Sequence, residues 1–306
     1  MTTLIYTHKA CMNHDTGDNH PERAERLRAV LDALAMPSLS VLDHREAPLA
    51  TLSQLTRVHR RTYIDQALST VPSSGHAYLD PDTVISPRSG EAARRAAGAV
   101  CGAVDAVMHG DATRAFCAVR PPGHHADSDH AMGFCIFNNV AVGAAHALVQ
   151  YDIRRVAIVD FDVHHGNGTQ NIFSREPRIL LTGSHQMPLY PGSGAASEVG
   201  IGNIVNMPLT PNSGRKEFEA QWRTHGLARL ATFEPQLIFI SAGFDGHRDD
   251  PLAQLELAGV DYAWLTNEIV KIAEQSAAGR VISTLEGGYQ LDALADSCVA
   301  HVKALM

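Results

Sequence analysis

The sequence predicts an α/β domain in which helices cover both faces of a central, mostly parallel sheet of about eight strands. Short runs rich in Val, Ile and Leu recur along the chain, and patterns with helical spacing separate several of them. Strands of a parallel sheet are buried on both faces and therefore read as continuous apolar runs. No charge run, repeat or low-complexity linker divides the 306 residues. We therefore predict a single three-layer α/β/α domain over residues 1–306.

The composition restricts the class of protein. Hydrophobic residues make up 45% of the chain, which is enough for a large core. The net charge of −8 disfavours binding to nucleic acid or to an anionic membrane, because both need a basic surface. The five cysteines are scattered without a C-x-x-C pair, as in reduced intracellular proteins. No apolar run reaches the roughly 18 residues of a membrane span. We predict a cytoplasmic protein that binds neither nucleic acid nor membrane, and its oligomeric state stays open.

The elements follow from the apolar patterns in chain order. Pro21 stands at a favoured first-turn position and opens an amphipathic helix. Residues 71–88 are rich in turn formers and predict a surface loop. Strands are predicted at residues 4–7, 115–119, 156–160, 179–182, 203–207, 237–242 and 281–285. Helices are predicted at residues 21–34, 48–70, 90–109, 138–150, 216–232 and 259–278.

The stretch from residue 156 to residue 168 reads VAIVDFDVHHGNG and predicts a buried strand that ends at a Gly-rich break. Because side chains alternate along a strand, Asp160, Asp162 and His164 are expected on one side of it. Two carboxylates and an imidazole are unfavourable on a buried face without a compensating cation. A zinc-like metal fits the Asp/His pair. The alternative is a pair of capping or salt-bridged acids at a strand end.

Three further polar clusters follow predicted strands. They are Gly123-His124-His125, the segment SAGFDGHRDDP with Asp245, and Leu285-Glu286-Gly287-Gly288-Tyr289. Ligands of open α/β sheets bind at the carboxyl ends of the strands. Convergence of the four clusters on one site is therefore expected.

The residue types of these clusters indicate hydrolytic chemistry. Asp162, His164 and Asp245 supply three ligands and leave a position for water, which a metal would activate. His124 and His125 provide imidazoles for acid–base chemistry. Asp160 and Asn167 are candidates to orient those imidazoles, and Tyr289 is a candidate donor to a developing oxyanion. Two of the motifs also have a structural alternative. For the histidine pair it is an ordinary surface or core pair, and for Tyr289 it is a packed ring at a strand end.

The motifs RPPGHHA, GFCIFNN, VDFDVHHGNGTQ, SAGFDGHRDDPL and LEGGYQL together resemble the histone deacetylase superfamily, which also includes acetylpolyamine amidohydrolases and acetoin-utilisation proteins. The similarity is greatest to the bacterial form of the class II branch. It extends from CMNH and HPERAERL near the start to LEGGYQL near the end. The resemblance implies an arginase–deacetylase fold and a zinc-dependent deacetylase.

The resemblance also implies roles for individual residues. Zinc would be held by Asp162, His164 and Asp245, with iron(II) as an alternative in cells. His125 would be the main proton-transfer residue, His124 its electrostatic partner, and Tyr289 the donor to the scissile carbonyl oxygen. Asp160 would pair with His124, and Asn167 stands where class II enzymes carry Asn and class I enzymes Asp. Arg23 matches an arginine associated with an internal channel, and is equally compatible with a surface position.

A structural potassium ion is usual in this family close to the zinc. Its ligands would come from Asp160, Asp162 and His164 together with a Ser-x-His segment after the next strand. Here Gly183 occupies the usual serine position, so that either Ser184 substitutes or water completes the site.

The implied substrate is an acyl-lysine side chain in a tunnel walled by Phe134 and Tyr190. Gly133, Leu252 and Asp82 are further candidate substrate contacts. Polyamine-selective relatives carry a glutamate at the position of Leu252. The leucine here therefore favours an acetylated protein or peptide as the substrate over a small acetylated amine. Acetylpolyamine hydrolysis stays the alternative activity, and a catalytically silent acyl-lysine-binding module is a third interpretation. Hydroxamate inhibitors are expected to bind.

Overall fold

A computed structural model describes residues 3–306. Its ten strands are β1 (Thr3–Thr7), β2 (Asp43–Glu46), β3 (Ala77–Asp80), β4 (Thr83–Ile85), β5 (Arg114–Cys117), β6 (Val156–Asp160), β7 (Ile179–Gln186), β8 (Ile204–Leu209), β9 (Leu237–Ala242) and β10 (Val281–Leu285). Eight of them form one sheet in the order β2-β1-β5-β10-β9-β6-β7-β8. Every neighbouring pair in this sheet is parallel. The predicted parallel sheet is confirmed.

Helices form the outer two layers. They are α1 (Ala24–Leu34), α2 (Leu52–Leu55), α3 (Arg61–Ser69), α4 (Ser89–His109), α5 (Asn139–Gln150), α6 (Asn167–Phe173), α7 (Arg215–Gln221), α8 (Leu227–Phe233), α9 (Gly259–Ser276) and α10 (Leu291–Leu305). Helices α1, α8, α9 and α10 pack together in one layer, and α4, α5 and α6 pack together in the other. Within residues 3–306, no helix is both long and apolar enough to cross a membrane.

The helix predicted over residues 216–232 is interrupted. A π-helical turn, Trp222–Gly226, separates α7 from α8. The Trp222 ring is fully buried, and an alanine Cβ at Gly226 would lie 2.4 Å from it. The absence of a side chain at Gly226 therefore lets the chain pass close to the indole ring.

Two predictions about the edges of the domain were wrong or incomplete. Residues 71–88 are not a plain surface loop, because β3 and β4 pair in an antiparallel hairpin within them. The edge strand β2 was not predicted, since its sequence, DHRE, is polar and lacks an apolar run. Both elements are short and partly exposed, so hydrophobic patterning gives them a weak signal.

Strand β6 is too short to place Asp160, Asp162 and His164 on one face, as the sequence predicted. β6 ends at Asp160, and two of the amides that follow donate to side chains of the same stretch. The amide of Asp162 donates to Asp160 Oδ1 (3.1 Å), and that of His164 donates to Asp162 Oδ1 (2.8 Å). The prediction that these three side chains share one face of a strand was therefore wrong, because Asp162 and His164 lie in a carboxylate-stabilised turn.

The sheet order explains why distant motifs meet. β5, β10, β9 and β6 are neighbours in the sheet, and all four run in the same direction. Their carboxyl ends therefore lie side by side at one edge. The four polar clusters follow these four strands, so the sheet places them in one row.

Candidate active site

Three side chains with metal-binding atoms converge at the carboxyl edge of the sheet. Asp162 and His164 follow β6, and Asp245 follows β9. One atom from each lies within 4.8 Å of the others. His164 Nδ1 is 3.1 Å from Asp162 Oδ1 and 3.1 Å from Asp245 Oδ2. Both carboxylates are buried. Two carboxylates facing one imidazole nitrogen form a donor set suited to a divalent transition metal.

Backbone groups hold the two carboxylates in place. The amide of Gly287 donates to Asp162 Oδ2 (2.8 Å), and that of Val163 donates to Asp245 Oδ1 (3.0 Å). A Cβ atom at Gly243 would lie 2.0 Å from Asp162 Oδ2, and one at Gly287 would lie 2.0 Å from Asp245 Oδ2. Glycine is required at both positions because the backbone passes directly over the carboxylates.

His125 is held as a neutral imidazole beside this cluster. Its Nδ1 lies 2.7 Å from Asn167 Oδ1, and the Asn167 amide nitrogen donates to Met132 Sδ (3.3 Å). Since an amide oxygen only accepts, Nδ1 carries the proton and Nε2 keeps a free lone pair. Burial, followed by the charges of His124 and His164, holds the pKa of His125 well below its usual value. The side chain is therefore suited to accept a proton.

His124 has the opposite electrostatic environment. Its Nδ1 lies 3.0 Å from Asp160 Oδ2, and its Nε2 lies 3.8 Å from Asp162 Oδ1. Burial disfavours the charged form, but the Asp162 and Asp160 carboxylates outweigh it and raise the pKa of His124 to about 10. The centroids of the His124 and His125 rings are 4.0 Å apart. The pair thus combines one charged and one neutral imidazole.

Tyr289 reaches the site from a loop that only glycine can form. Gly288 has a φ of +119°, which is unfavourable for residues with a Cβ. The amide of Tyr289 donates to Asp250 Oδ2 (2.7 Å), and the Arg26 guanidinium lies 4.8 Å from the centre of the phenol ring. Burial, partly offset by Arg26, raises the pKa of Tyr289 well above its usual value. The hydroxyl is therefore protonated and able to donate.

A cavity of about 230 Å³ leads to these groups. Its lining residues are Asp82, His125, Gly133, Phe134, His164, Leu189, Tyr190, Leu252 and Tyr289. The Phe134 and Tyr289 ring centroids are 6.1 Å apart, and the Tyr190 and His125 centroids are 5.3 Å apart. The structure thus brings all five predicted substrate contacts to one cavity.

The β3–β4 hairpin supports one wall of this cavity. Asp82 Oδ1 accepts hydrogen bonds from the Gly133 amide (3.0 Å) and from Thr83 Oγ1 (3.0 Å). The Phe134 amide donates to Thr83 Oγ1 (3.2 Å). Gly133 has a φ of +57°, and a Cβ there would lie 2.4 Å from His125 Cδ2. Asp82 therefore holds the segment that carries Phe134, in addition to facing the cavity.

The predicted potassium site differs from the expected pattern in one side chain. Gly183 pairs with Asp160 across β6 and β7. The neighbouring Ser184 hydroxyl accepts a hydrogen bond from Trp222 Nε1 (3.0 Å). This hydroxyl keeps a second lone pair, so its part in a potassium site stays a prediction. Potassium binding at Asp160, Asp162 and His164 stays a prediction.

A buried charge cluster beneath Tyr289 was not predicted. Glu22, Arg26 and Arg120 are all fully buried. Arg23 is exposed, which agrees with the surface alternative for this residue and not with the internal channel. Arg26 donates through Nη2 to the Glu286 carbonyl (2.6 Å). Helical periodicity could have identified Arg26 as buried, since it lies on the same face of α1 as the buried apolar residues.

Comparisons with known proteins agree with this geometry. The histone deacetylase domain model matches residues 20–305. Type-2 histone deacetylase 2 of Dictyostelium discoideum is 37% identical over 99% of this chain, which spans 21% of that protein. The histone deacetylase-like amidohydrolase of Pseudomonas aeruginosa is 38% identical, and the match covers 88% of this chain and 71% of that protein.

A solved structure gives the same result for the fold. The crystal structure of the HDA15 HD domain matches this chain with a TM-score of 0.94 and 34% sequence identity, covering 99% of this chain and 88% of that chain. The expected arginase–deacetylase fold is confirmed. The chain therefore belongs to the histone deacetylase family of hydrolases.

Proposed function

We propose that this protein is a zinc-dependent amidohydrolase that removes acetyl or other short acyl groups from the side-chain amine of acyl-lysine. One observation carries the proposal: the neutral imidazole His125, the metal-ligand candidate His164 and the phenol Tyr289 all line one narrow cavity. A base, a metal position and an oxyanion donor are the groups that amide hydrolysis needs.

The residues present fit a metal ion. Asp162, His164 and Asp245 offer two oxygens and one nitrogen at mutually close positions. Two buried carboxylates so close together favour a bound cation. Such an ion, zinc or in cells iron(II), would activate water and polarise the amide carbonyl. Potassium at the neighbouring Asp160 carbonyl is proposed as a structural ion.

The chain's own side chains manage the protons. His125 Nε2 accepts the proton of the attacking water, because Asn167 fixes the Nδ1–H tautomer. The same imidazole returns a proton to the departing lysine amine. His124, kept charged by Asp160 and Asp162, stabilises negative charge that develops nearby. The Tyr289 hydroxyl donates a hydrogen bond to the amide oxygen as it gains charge.

The cavity walls favour an acyl-lysine over a polyamine. Phe134, Tyr190 and Leu252 present aromatic and aliphatic surface to a methylene chain. A polyamine carries further ammonium groups that need anionic partners. Asp82 is the carboxylate that lines the cavity, and it does not belong to the metal cluster. It already accepts a hydrogen bond from the Gly133 amide. We propose one catalytic domain over residues 1–306, cytoplasmic, acting on an acetylated protein or peptide.

A substrate panel tests this function. Zinc-loaded protein is assayed with acetyl-, propionyl- and butyryl-lysine peptides and with acetylspermidine. We expect kcat/KM to be highest for an acyl-lysine peptide. A strong preference for acetylspermidine would establish the polyamine alternative instead. Binding of a hydroxamate inhibitor without turnover of any substrate would identify a catalytically silent acyl-lysine-binding module.

Replacing Gly287 by Ala is expected to weaken zinc binding. The new Cβ would lie 2.0 Å from Asp245 Oδ2 and 2.6 Å from Asp162 Oδ2, so one or both carboxylates must move. We expect zinc affinity to fall about 10- to 100-fold, as for other changes that disturb metal-ligand orientation. Competition with a chromophoric chelator measures it. Gly214→Ala is the matched control, because its Cβ would make an ordinary contact of 3.8 Å with Glu256. Wild-type affinity in the Gly287 variant would rule out its proposed effect on the ligands.

A further inference from the structure

Glu286 is a buried carboxylate whose contacts point to a function in the site. It follows β10 directly and precedes the glycine pair that leads to Tyr289. Its side chain is fully buried. Burying a carboxylate is unfavourable unless its oxygens receive strong hydrogen bonds. The donors that Glu286 uses therefore indicate what the residue holds in place.

The carboxylate connects three neighbouring strands at their carboxyl ends. Oε2 accepts hydrogen bonds from the amides of Gly123 (2.6 Å) and His124 (3.2 Å), in the loop after β5. Oε1 accepts a hydrogen bond from Ser241 Oγ (3.2 Å) in β9. Two backbone amides that share one buried acceptor oxygen are held close to each other and to the strand that carries the acceptor. The histidine loop is thus tied by its backbone to the strand that leads to Tyr289.

The same short segment contacts the rest of the site through its backbone. The Glu286 amide donates to the Ala242 carbonyl (2.9 Å). The next amide, of Gly287, donates to the metal-ligand candidate Asp162 (2.8 Å). The Tyr289 amide donates to Asp250 (2.7 Å). Four consecutive residues therefore set the relative positions of a histidine loop, a carboxylate ligand and the phenol.

We propose that Glu286 is a positioning residue that fixes the backbone of Gly123 and His124 relative to Tyr289. The proton-transfer imidazole and the phenol hydroxyl line one cavity and must both reach the same acyl group, and a displacement of about 1 Å can reduce turnover 10²-fold. A backbone clamp at His124 controls this separation, because His125 is the next residue. This inference rests on the proposed function, since it assigns Glu286 a place in that reaction.

Three substitutions test the clamp. Glu286→Ala leaves both amides without their acceptor, and Glu286→Asp keeps the charge but shortens the reach. Glu286→Gln keeps an oxygen acceptor at nearly the same position. We expect Glu286→Ala to lower kcat on the order of 10²-fold, with KM for an acetyl-lysine peptide and zinc content unchanged. Glu286→Asp should show a smaller loss, and Glu286→Gln should restore most of the activity.

Asp261→Asn is the control for general destabilisation. Asp261 is also buried and accepts a backbone hydrogen bond, from the Ala258 amide (2.9 Å) at the start of α9. Its substitution is expected to lower Tm without a loss of kcat. If Glu286→Ala does not fold, the activities of Glu286→Asp and Glu286→Gln are compared instead to test the clamp. Equal or higher activity of the Asp variant would overturn the proposal.

Amide exchange separates failure of the clamp from failure of the proposed function. Hydrogen exchange at Gly123 and His124, followed by NMR, does not depend on turnover. We expect protection in the wild type and in Glu286→Gln, and faster exchange in Glu286→Ala. If the wild type cleaves no acyl substrate, the proposed function fails, while faster exchange still supports the clamp. Unchanged exchange, or unchanged kcat in Glu286→Ala of an active enzyme, overturns the positioning role.

Discussion

Replacing Tyr289 by Phe is expected to lower kcat by about 10²- to 10³-fold, the loss typical of removing one oxyanion donor. The substitution removes only the hydroxyl. The ring keeps its position under the Arg26 guanidinium, 4.8 Å away, and beside Phe134. Zinc content and hydroxamate binding are therefore expected to stay close to those of the wild type. Steady-state kinetics with an acetyl-lysine peptide measures the loss of kcat, and metal analysis measures the zinc content.

Tyr78→Phe is the matched control for this prediction. Tyr78 lies in β3, does not line the cavity, and is 63% exposed. Loss of its hydroxyl is expected to leave kcat unchanged. Wild-type turnover in Tyr289→Phe would exclude the phenol from transition-state stabilisation.

Replacing Glu22 by Gln is expected to destabilise the protein by about 3–5 kcal/mol, because removing one partner leaves buried charge uncompensated. Arg120 Nη2 donates to Glu22 Oε2 (2.6 Å), and Arg26 Nη1 donates to Oε1 (2.9 Å). Glutamine has one acceptor oxygen and no charge for these two guanidinium groups. Urea unfolding of wild type and variant at neutral pH gives the difference in the free energy of unfolding.

The destabilisation is also expected to depend on pH. Burial alone would raise the pKa of Glu22, but Arg120 and Arg26 lower it from 4.5 to about 2. The folded state therefore favours the ionised form, and the stabilisation is complete above pH 4.5 and lost as the pH falls towards 2. The difference between wild type and Glu22→Gln should shrink in that range. Glu25→Gln, at an exposed position in the first turn of the same helix, should change stability by no more than about 1 kcal/mol at any pH. A pH-independent effect of Glu22→Gln would contradict the ionic explanation.

The site was more predictable from the sequence than the support beneath it. Asp162, His164 and Asp245 stand in motifs directly after apolar runs, and a parallel sheet brings such motifs to one edge. Asp160 and Asn167 were candidates to orient the two imidazoles, and the family resemblance implied that Asp160 pairs with His124. Sequence spacing alone did not show that Asp162 and His164 lie beyond the end of β6, since an apolar run does not reveal where backbone pairing stops.

The remaining errors concern features for which hydrophobic patterning gives little signal. Arg26 and Glu22 are charged residues that can be buried because Glu22 forms ion pairs with both Arg26 and Arg120. Arg120 is 98 residues from Glu22 in sequence, so local patterning does not reveal this contact. The β3–β4 hairpin was hidden by its turn-forming composition.

The order of strands in the sheet has a consequence for biosynthesis. β10 is the last strand in the chain, yet it lies at the centre of the sheet, between β5 and β9. Chains fold from the amino terminus as they leave the ribosome. Until residues 281–285 emerge, the other seven strands of the sheet therefore lack the partner that joins β5 to β9. The nascent polypeptide holds every metal ligand candidate before it holds Tyr289, and the proposed catalytic site is complete only when this final strand is inserted.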